Sequence, residues 1–308
     1  MIDLSAKIGS LKLKNPVLVA SGCFGVGREY AEIFDLNLLG GIVTKTVTPK
    51  PREGNPPPRL WETPSGMLNS IGLANPGLDI FIDEEIPFLD GLDTAVIVSI
   101  AGDEPADFAA LAEKLDSIPA VDALELNVSC PNVKKGGLAF GTDEKALREV
   151  VELARKATDK PLWVKLTPNV TDITAMGKVA AAAGADAICA INTLPGMDID
   201  IRSRRPRIGN IFGGLSGPAI RPVALAKVFK LHRGLPDIPV IGIGGISDPE
   251  DAVAHLLAGA SAVQVGSGIF REPHLPIQCI QFMAEYCESA GYESTADIRG
   301  AVITSDEN

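Results

Sequence analysis

The chain has 308 residues, 46% of them hydrophobic and 22% charged, which argues against disorder and suits one large α/β domain or two ordinary ones. A formal net charge of −11 disfavours a polyanionic partner, so no nucleic acid is expected, although a few local lysines can still hold a small anion. Aromatic residues, at 5%, are too sparse for a platform that stacks single-stranded bases.

The opening DLSAKIGSLKLKN alternates like a small hairpin and lacks the apolar core of a signal peptide. PVLVASG (16–22) then reads as a strand and REYAEIF as the helix after it. GGIVTKTVT, AVIVSIAG, DALELNVS, PLWVKLTPN, DAICAINT, PVIGIGG and AVQVGSG follow as further strands. Between them lie helical patterns such as PADFAALAEKLDSI, TDEKALREVVELARKA, ITAMGKVAAAAGA, AIRPVALAKVFKLHRG and DPEDAVAHLLAGA. The strand runs are almost continuously apolar, as strands covered on both faces must be. Eight β–α units with no break in composition predict an α/β fold, a single (β/α)₈ TIM barrel over 1–308 with the hairpin plugging its floor. Two connections, roughly 49–77 and 194–218, are too long for turns; both follow the carboxyl ends of strands, where such a barrel builds its site. MLNSIGL, in the first, interleaves apolar and polar residues like a packed loop. No uncharged stretch reaches the length of a membrane span. Cys23, Cys130, Cys189, Cys279 and Cys287 form no C-x-x-C pair, so reduced thiols, a cytoplasmic location and no metal site in this chain are expected.

The predicted strands end in chemistry-bearing residues: Lys45-Thr46, Ser99, Asn127 followed by Cys130-Pro131-Asn132, Lys165, Asn192-Thr193, Gly244-Gly245 and Gly266-Ser267. A lone strand lysine is usually a surface charge and a lone asparagine a turn former. Two lysines in apolar strands, however, are costly to bury without an anionic partner. The glycines of GIGG and GSG match a phosphate cradle of bare backbone N–H groups, the alternative being tight strand–helix turns. Neither GIGGIS nor GCFGVG fits G-x-G-x-x-G, so no dinucleotide fold is indicated. One phosphate and a ring-sized cavity point to a mononucleotide such as FMN, with Lys165 suited to stabilise negative charge on the reduced ring.

KTVT, GNPPPRLWETPSGMLNSIGL, NVSCPN, VKLTPN, INTLPGMDIDI, GGLSGPAIRP, GIGGI and VGSGIF occur in this order between about residues 2 and 290. The set resembles the dihydroorotate dehydrogenases, most closely the class 1B catalytic subunits of pyrimidine biosynthesis. The resemblance implies an FMN-containing (β/α)₈ barrel that oxidises dihydroorotate to orotate, with one FMN per chain. It implies that Cys130 is the base that takes the C5 proton while the C6 hydride passes to flavin N5. A thiol with a free pKa of about 8.5 suits that task if its surroundings lower it modestly. Asn69, Asn127, Asn132 and Asn192, with Thr193, would bind the substrate, since each amide offers both a donor and an acceptor. Lys45 would neutralise the substrate carboxylate, and Ile71, Gly72 and Leu73 would offer backbone groups. Ser21, Lys45, Thr46, Asn127, Lys165, Ile191, Gly217, Gly244, Gly245, Gly266 and Ser267 match the family's FMN contacts. Ser99 stands where the family usually has asparagine, so that flavin contact is expected to be lost, bridged by water or supplied by a neighbour.

KKGGLAF (134–140) reads equally as a lid over Cys130 or as an ordinary loop. Cys23 is expected to be a packing residue, Cys189 core, and Cys279 and Cys287 structural. His232, His255 and His274 are expected at the surface or as caps, and the tail after 292 as partly disordered. Class 1B further implies a partner subunit carrying FAD and a [2Fe-2S] cluster that reduces NAD, with this chain as the homodimeric core of a heterotetramer. A fumarate-linked class 1A enzyme, a flavin-free barrel lyase using Lys165 as a Schiff base and a non-catalytic phosphate-binding module are the other readings.

Overall fold

The computed structural model describes residues 2–129, 131–132 and 138–304. Eight parallel strands close into a barrel in sequence order: β1 (Val17–Val19), β2 (Gly41–Val43), β3 (Ala95–Ile100), β4 (Ala123–Asn127), β5 (Leu162–Leu166), β6 (Ala187–Ala190), β7 (Val240–Ile243) and β8 (Ala262–Val265). Helices cover the outside. In helix Glu144–Lys156, Leu147, Val150, Val151 and Ala154 make the stripe that faces the barrel, and Asp143 caps the start by accepting from the Ala146 N–H. Among the described residues no helix is long and apolar enough to cross a membrane.

Strand alternation sorts the side chains into two cores. Val17, Val96, Val98, Leu124, Leu126, Val164, Ile188 and Val263 point outward into the helix layer. Leu18, Val43, Ile97, Ala123, Trp163, Ala187, Ile241 and Ala262 fill the barrel interior, joined by Ile8 and Leu13 of the amino-terminal hairpin. That hairpin, Ala6–Ile8 paired with Leu11–Leu13, closes the floor as its alternation predicted. Two residues further along four strands the interior turns polar: Ser99, Glu125, Lys165 and Gln264 stand one layer above Ile97, Ala123, Trp163 and Ala262. The apolar floor is therefore directly followed by a charged layer at the carboxyl end.

The two long connections are ordered and meet. Leu60–Thr63 and Gly66–Asn69 come from the first, Leu194–Gly196 and Gly213–Ser216 span the second, and together they form a four-stranded antiparallel sheet over the mouth. Trp61 donates to Asp198 Oδ2 across the loops at 2.8 Å and lies under the Arg207 guanidinium, 4.6 Å from its ring centre.

The chain end departs from expectation. Thr295 and Ile298 are buried and the Thr295 N–H donates to the Asp3 carbonyl at 3.1 Å, whereas Val302 and Ile303 are exposed. Ile298 supplies the apolar anchor that a polar composition concealed. His255 is also not a surface residue: it is fully buried against the turn after β7. His274 does sit at the start of helix Leu275–Ala290, and Cys189, Cys279 and Cys287 are buried.

Candidate active site

A cavity of about 530 Å³ opens between the barrel mouth and the loop sheet. A narrower lobe of about 80 Å³ continues from it between β6, β7 and β8, sharing Ser21, Cys23, Lys165, Asn192, Thr193 and Ser267. Lys45, Thr46, Asn69, Ile71, Gly72, Leu73 and Asn127 line the wider space. Ile191, Gly217, Gly244, Gly245 and Gly266 line the narrower one. Ser99 lines neither; it is fully buried behind Thr46. Cys130 lies outside the described residues, as do 134–137 of the lid candidate. Of Asn132 only the backbone is described, paired with Leu138.

The charged layer separates the two lysines. Lys165, only 6% exposed, lies 3.5 Å from Oε1 of the fully buried Glu125, whose Oε2 accepts from Gln264 Nε2 at 2.8 Å. Lys165 thus finds its anionic partner within the protein. Lys45 has no carboxylate within ion-pair distance among the described residues, and burial holds its pKa below the usual lysine range, the Cys23 sulfur opposing that shift. An ammonium so placed beside a cavity favours an anionic guest. Cys23 lines both lobes rather than serving only as packing; burial pushes its thiol up to about 11 despite the nearby Lys165 and Lys45 charges.

Hydrogen bonds fix the amides. Thr46 Oγ1 lies 3.0 Å from both Ser21 Oγ and Ser99 Oγ and accepts from Asn127 Nδ2 at 3.4 Å. Asn127 Oδ1 accepts from Asn192 Nδ2 at 3.2 Å, and Asn192 Oδ1 accepts from the Thr193 N–H at 2.7 Å. A serine at position 99 therefore props Thr46 from behind instead of reaching the cavity. Asn69 donates to the Gly214 carbonyl at 3.2 Å across the loop sheet.

The NSIGL loop is held from two sides. The Asn55 N–H donates to the Ile71 carbonyl at 3.0 Å, and Asn55 and Asn210 both donate to Ser70 Oγ, at 2.9 and 3.0 Å. Buried Asn75 accepts from the Thr48 and Gly77 N–H groups and donates to Thr48 Oγ1 and the Leu73 carbonyl. Gly72 and Leu73 both take positive φ, +70° and +56°. For leucine that conformation costs about 1–2 kcal/mol, so the surrounding bonds must impose it.

At the narrow end Gly244 and Gly245 have φ of +121° and +76°, and a side chain on Gly245 would collide with Arg221. A Cβ on Gly266 would meet nothing closer than 3.7 Å and would stand in the lobe itself. Glu125, Gln264, Asn55 and Asn210 escaped the sequence reading. Glu125 shows in the sequence only as a charge inside an apolar strand, with nothing to pair it with Lys165, whereas Asn55 and Asn210 reach the site only once the two distant loops join.

In sum the cavity offers a glycine-walled lobe, a buried compensated cation, an uncompensated cation and a rim of oriented amides. The family model described as dihydroorotate dehydrogenase matches residues 3–286. The catalytic subunit of dihydroorotate dehydrogenase B (NAD(+)) from Pelobacter propionicus is 51% identical over 300 residues, covering 97% of this chain and 98% of that protein. The subunit of the same name from Carboxydothermus hydrogenoformans is 50% identical over 307 residues, all of both chains. The one from Geotalea uraniireducens is 50% identical over 98% of this chain and 99% of its own. With half of its residues shared along its whole length, the chain belongs to the dihydroorotate dehydrogenase family.

Proposed function

We propose that the chain is the catalytic subunit of an NAD-linked dihydroorotate dehydrogenase and oxidises dihydroorotate to orotate with FMN. The observation that carries this is the uncompensated Lys45 beside Asn69, Asn127 and Asn192 in a cavity that runs on into a glycine-walled lobe. A dihydropyrimidine carboxylate needs one cation and several amides that both donate and accept. The residues also fit the cofactor: Gly266 leaves open the space a Cβ would fill, and Gly217, Gly244, Gly245 and Ser267 surround a lobe suited to a phosphate.

When bound, FMN supplies the hydride acceptor. Lys165 would hold the pyrimidine edge of its ring, Ser21, Thr46, Asn127 and Ile191 its body, and the glycines its phosphate. Lys45 would hold the substrate carboxylate, and Asn69, Asn127, Asn132, Asn192 and Thr193 its ring amides, with backbone groups from Ile71, Gly72 and Leu73. Cys130 would take the C5 proton as general base. The Glu125 contact pairs Lys165 within the protein, which supports the flavin reading over a Schiff-base amine.

The name of the relatives, a catalytic subunit of an NAD(+) enzyme, favours NAD over fumarate and implies a second subunit. We assign FAD and a [2Fe-2S] cluster to that partner and a homodimer of this chain to the core. The exposed Ile201, Ile211 and Phe212 in the 194–218 connection, 85%, 58% and 64% accessible, support a protein contact there. Free thiols at Cys23, Cys189, Cys279 and Cys287 accord with a cytoplasmic location.

The test has two arms. Dihydroorotate and NAD should give no NADH with this chain alone and steady NADH once the electron-transfer subunit is added. Cys130→Ala should retain the flavin yet no longer be reduced by dihydroorotate at pH 7. A Cys130→Ala protein reduced at the wild-type rate would remove the assigned base.

A further inference from the structure

Helix Pro249–Leu257 packs beneath the turn that follows β7 and grips it at two points. Asp251 Oδ2 accepts from the Ser247 and Asp248 N–H groups at 2.9 and 3.0 Å, while Oδ1 lies 2.7 Å from Arg221 Nε. One turn later, His255 Nε2 lies 3.0 Å from the Gly244 carbonyl oxygen. The imidazole is fully buried, and Nδ1 has no hydrogen-bond partner among the described residues. Room for the ring is made by Gly242, where any Cβ would strike His255 Nδ1.

The protonation state follows from these contacts. A carbonyl oxygen only accepts, so Nε2 carries the hydrogen. A proton on Nδ1 as well would place a buried N–H without an acceptor, so the ring is neutral with a lone pair at Nδ1. Burial agrees, holding the His255 pKa down at about 4, against the pull of the Gly244 carbonyl and Asp251. In a planar trans peptide the C=O and the following N–H point in opposite directions. A Gly244 carbonyl fixed toward His255 therefore turns the Gly245 N–H away from the helix. Gly244 and Gly245, both at positive φ and free of side chains, could otherwise rotate this peptide cheaply.

We propose that His255 is a positioning residue for the phosphate of the flavin: by donating from Nε2 to the Gly244 carbonyl it locks the Gly244–Gly245 peptide in the orientation that presents its N–H to an anion. The inference rests on the FMN reading above and adds a residue that touches neither cofactor nor substrate.

The test compares two ligands that differ only in the phosphate. Flavin-free full-length protein is titrated with FMN and, separately, with riboflavin, following fluorescence quenching. His255→Leu should weaken FMN at least about tenfold, since a preorganised amide donor is lost, and leave riboflavin affinity unchanged. His255→Gln, which keeps an N–H donor, should recover most of the FMN affinity. Equal losses for both ligands, or no loss for FMN, would overturn the proposal. Wild-type protein that binds neither would instead overturn the FMN reading. If the leucine variant does not fold, a long-range ¹H–¹⁵N spectrum of wild-type protein at pH 6 decides the contact. The signals that vanish in His255→Gln should report the neutral Nε2–H tautomer, and an Nδ1–H tautomer or an imidazolium would refute it.

Discussion

Glu125→Gln is the substitution that most sharply separates the charged layer from ordinary core. Glu125 is fully buried, and its two oxygens answer Lys165 Nζ at 3.5 Å and Gln264 Nε2 at 2.8 Å. Glutamine keeps the shape but offers one acceptor oxygen for two donors and leaves the Lys165 ammonium without a carboxylate. Removing one partner of a buried ion pair costs about 3–5 kcal/mol. At roughly 2 °C per kcal/mol for a chain of this length, Tm should fall by about 6–10 °C. The assay is calorimetry of the flavin-free protein, so that cofactor affinity does not enter. Lys165→Met alone should lose a similar amount, because it strands the carboxylate. The double variant Glu125→Gln/Lys165→Met removes both charges and should lie within about 2 kcal/mol of wild type. Singles that each cost less than about 1 kcal/mol, or that simply add in the double variant, would refute a coupled buried pair.

Three further outcomes follow from the same geometry. Gly245→Ala should abolish FMN binding measured by flavin fluorescence, because φ is +76° and the new methyl would collide with Arg221; riboflavin binding should fall less. Asn75→Ala breaks four hydrogen bonds around the NSIGL loop and should lower stability by about 2–4 kcal/mol while raising KM for dihydroorotate, as read by urea titration and steady-state kinetics. The Cys23 thiol, raised from 9.0 to about 11, should be alkylated by iodoacetamide at pH 8 roughly a hundredfold more slowly than an unperturbed thiol, followed by peptide mass spectrometry. Because its folded pKa lies above the unfolded one, the stability it contributes is complete below pH 9 and is lost as pH rises toward about 11; Cys23→Ser should lack that alkaline slope.

The barrel was legible because each of its strands is a short apolar run buried on both faces, bounded by turn residues, and the hairpin because LKL alternates over a closed floor. Lys165, Asn127 and Asn192 were legible as polar residues at strand ends. Glu125 lies two positions before Asn127 on the same strand face, yet single-strand reading could not pair it with Lys165: the parallel register sets Glu125 opposite Trp163, and the two charged side chains meet only in the barrel interior. Asn55 and Asn210 were hidden for a different reason: 155 residues separate them, and only the Gly66–Asn69 and Gly213–Ser216 pairing brings both to Ser70. His255 looked like a helix-surface residue because neither Gly242, which makes its space, nor the Gly244 carbonyl, which binds it, leaves a mark on helical periodicity.

The most direct test is an anaerobic absorption spectrum of the purified chain before and after dihydroorotate is added. A flavin spectrum that bleaches with one equivalent of substrate, with orotate formed in equal amount, is the predicted result. A bound flavin that stays oxidised under excess dihydroorotate would contradict the assigned reaction.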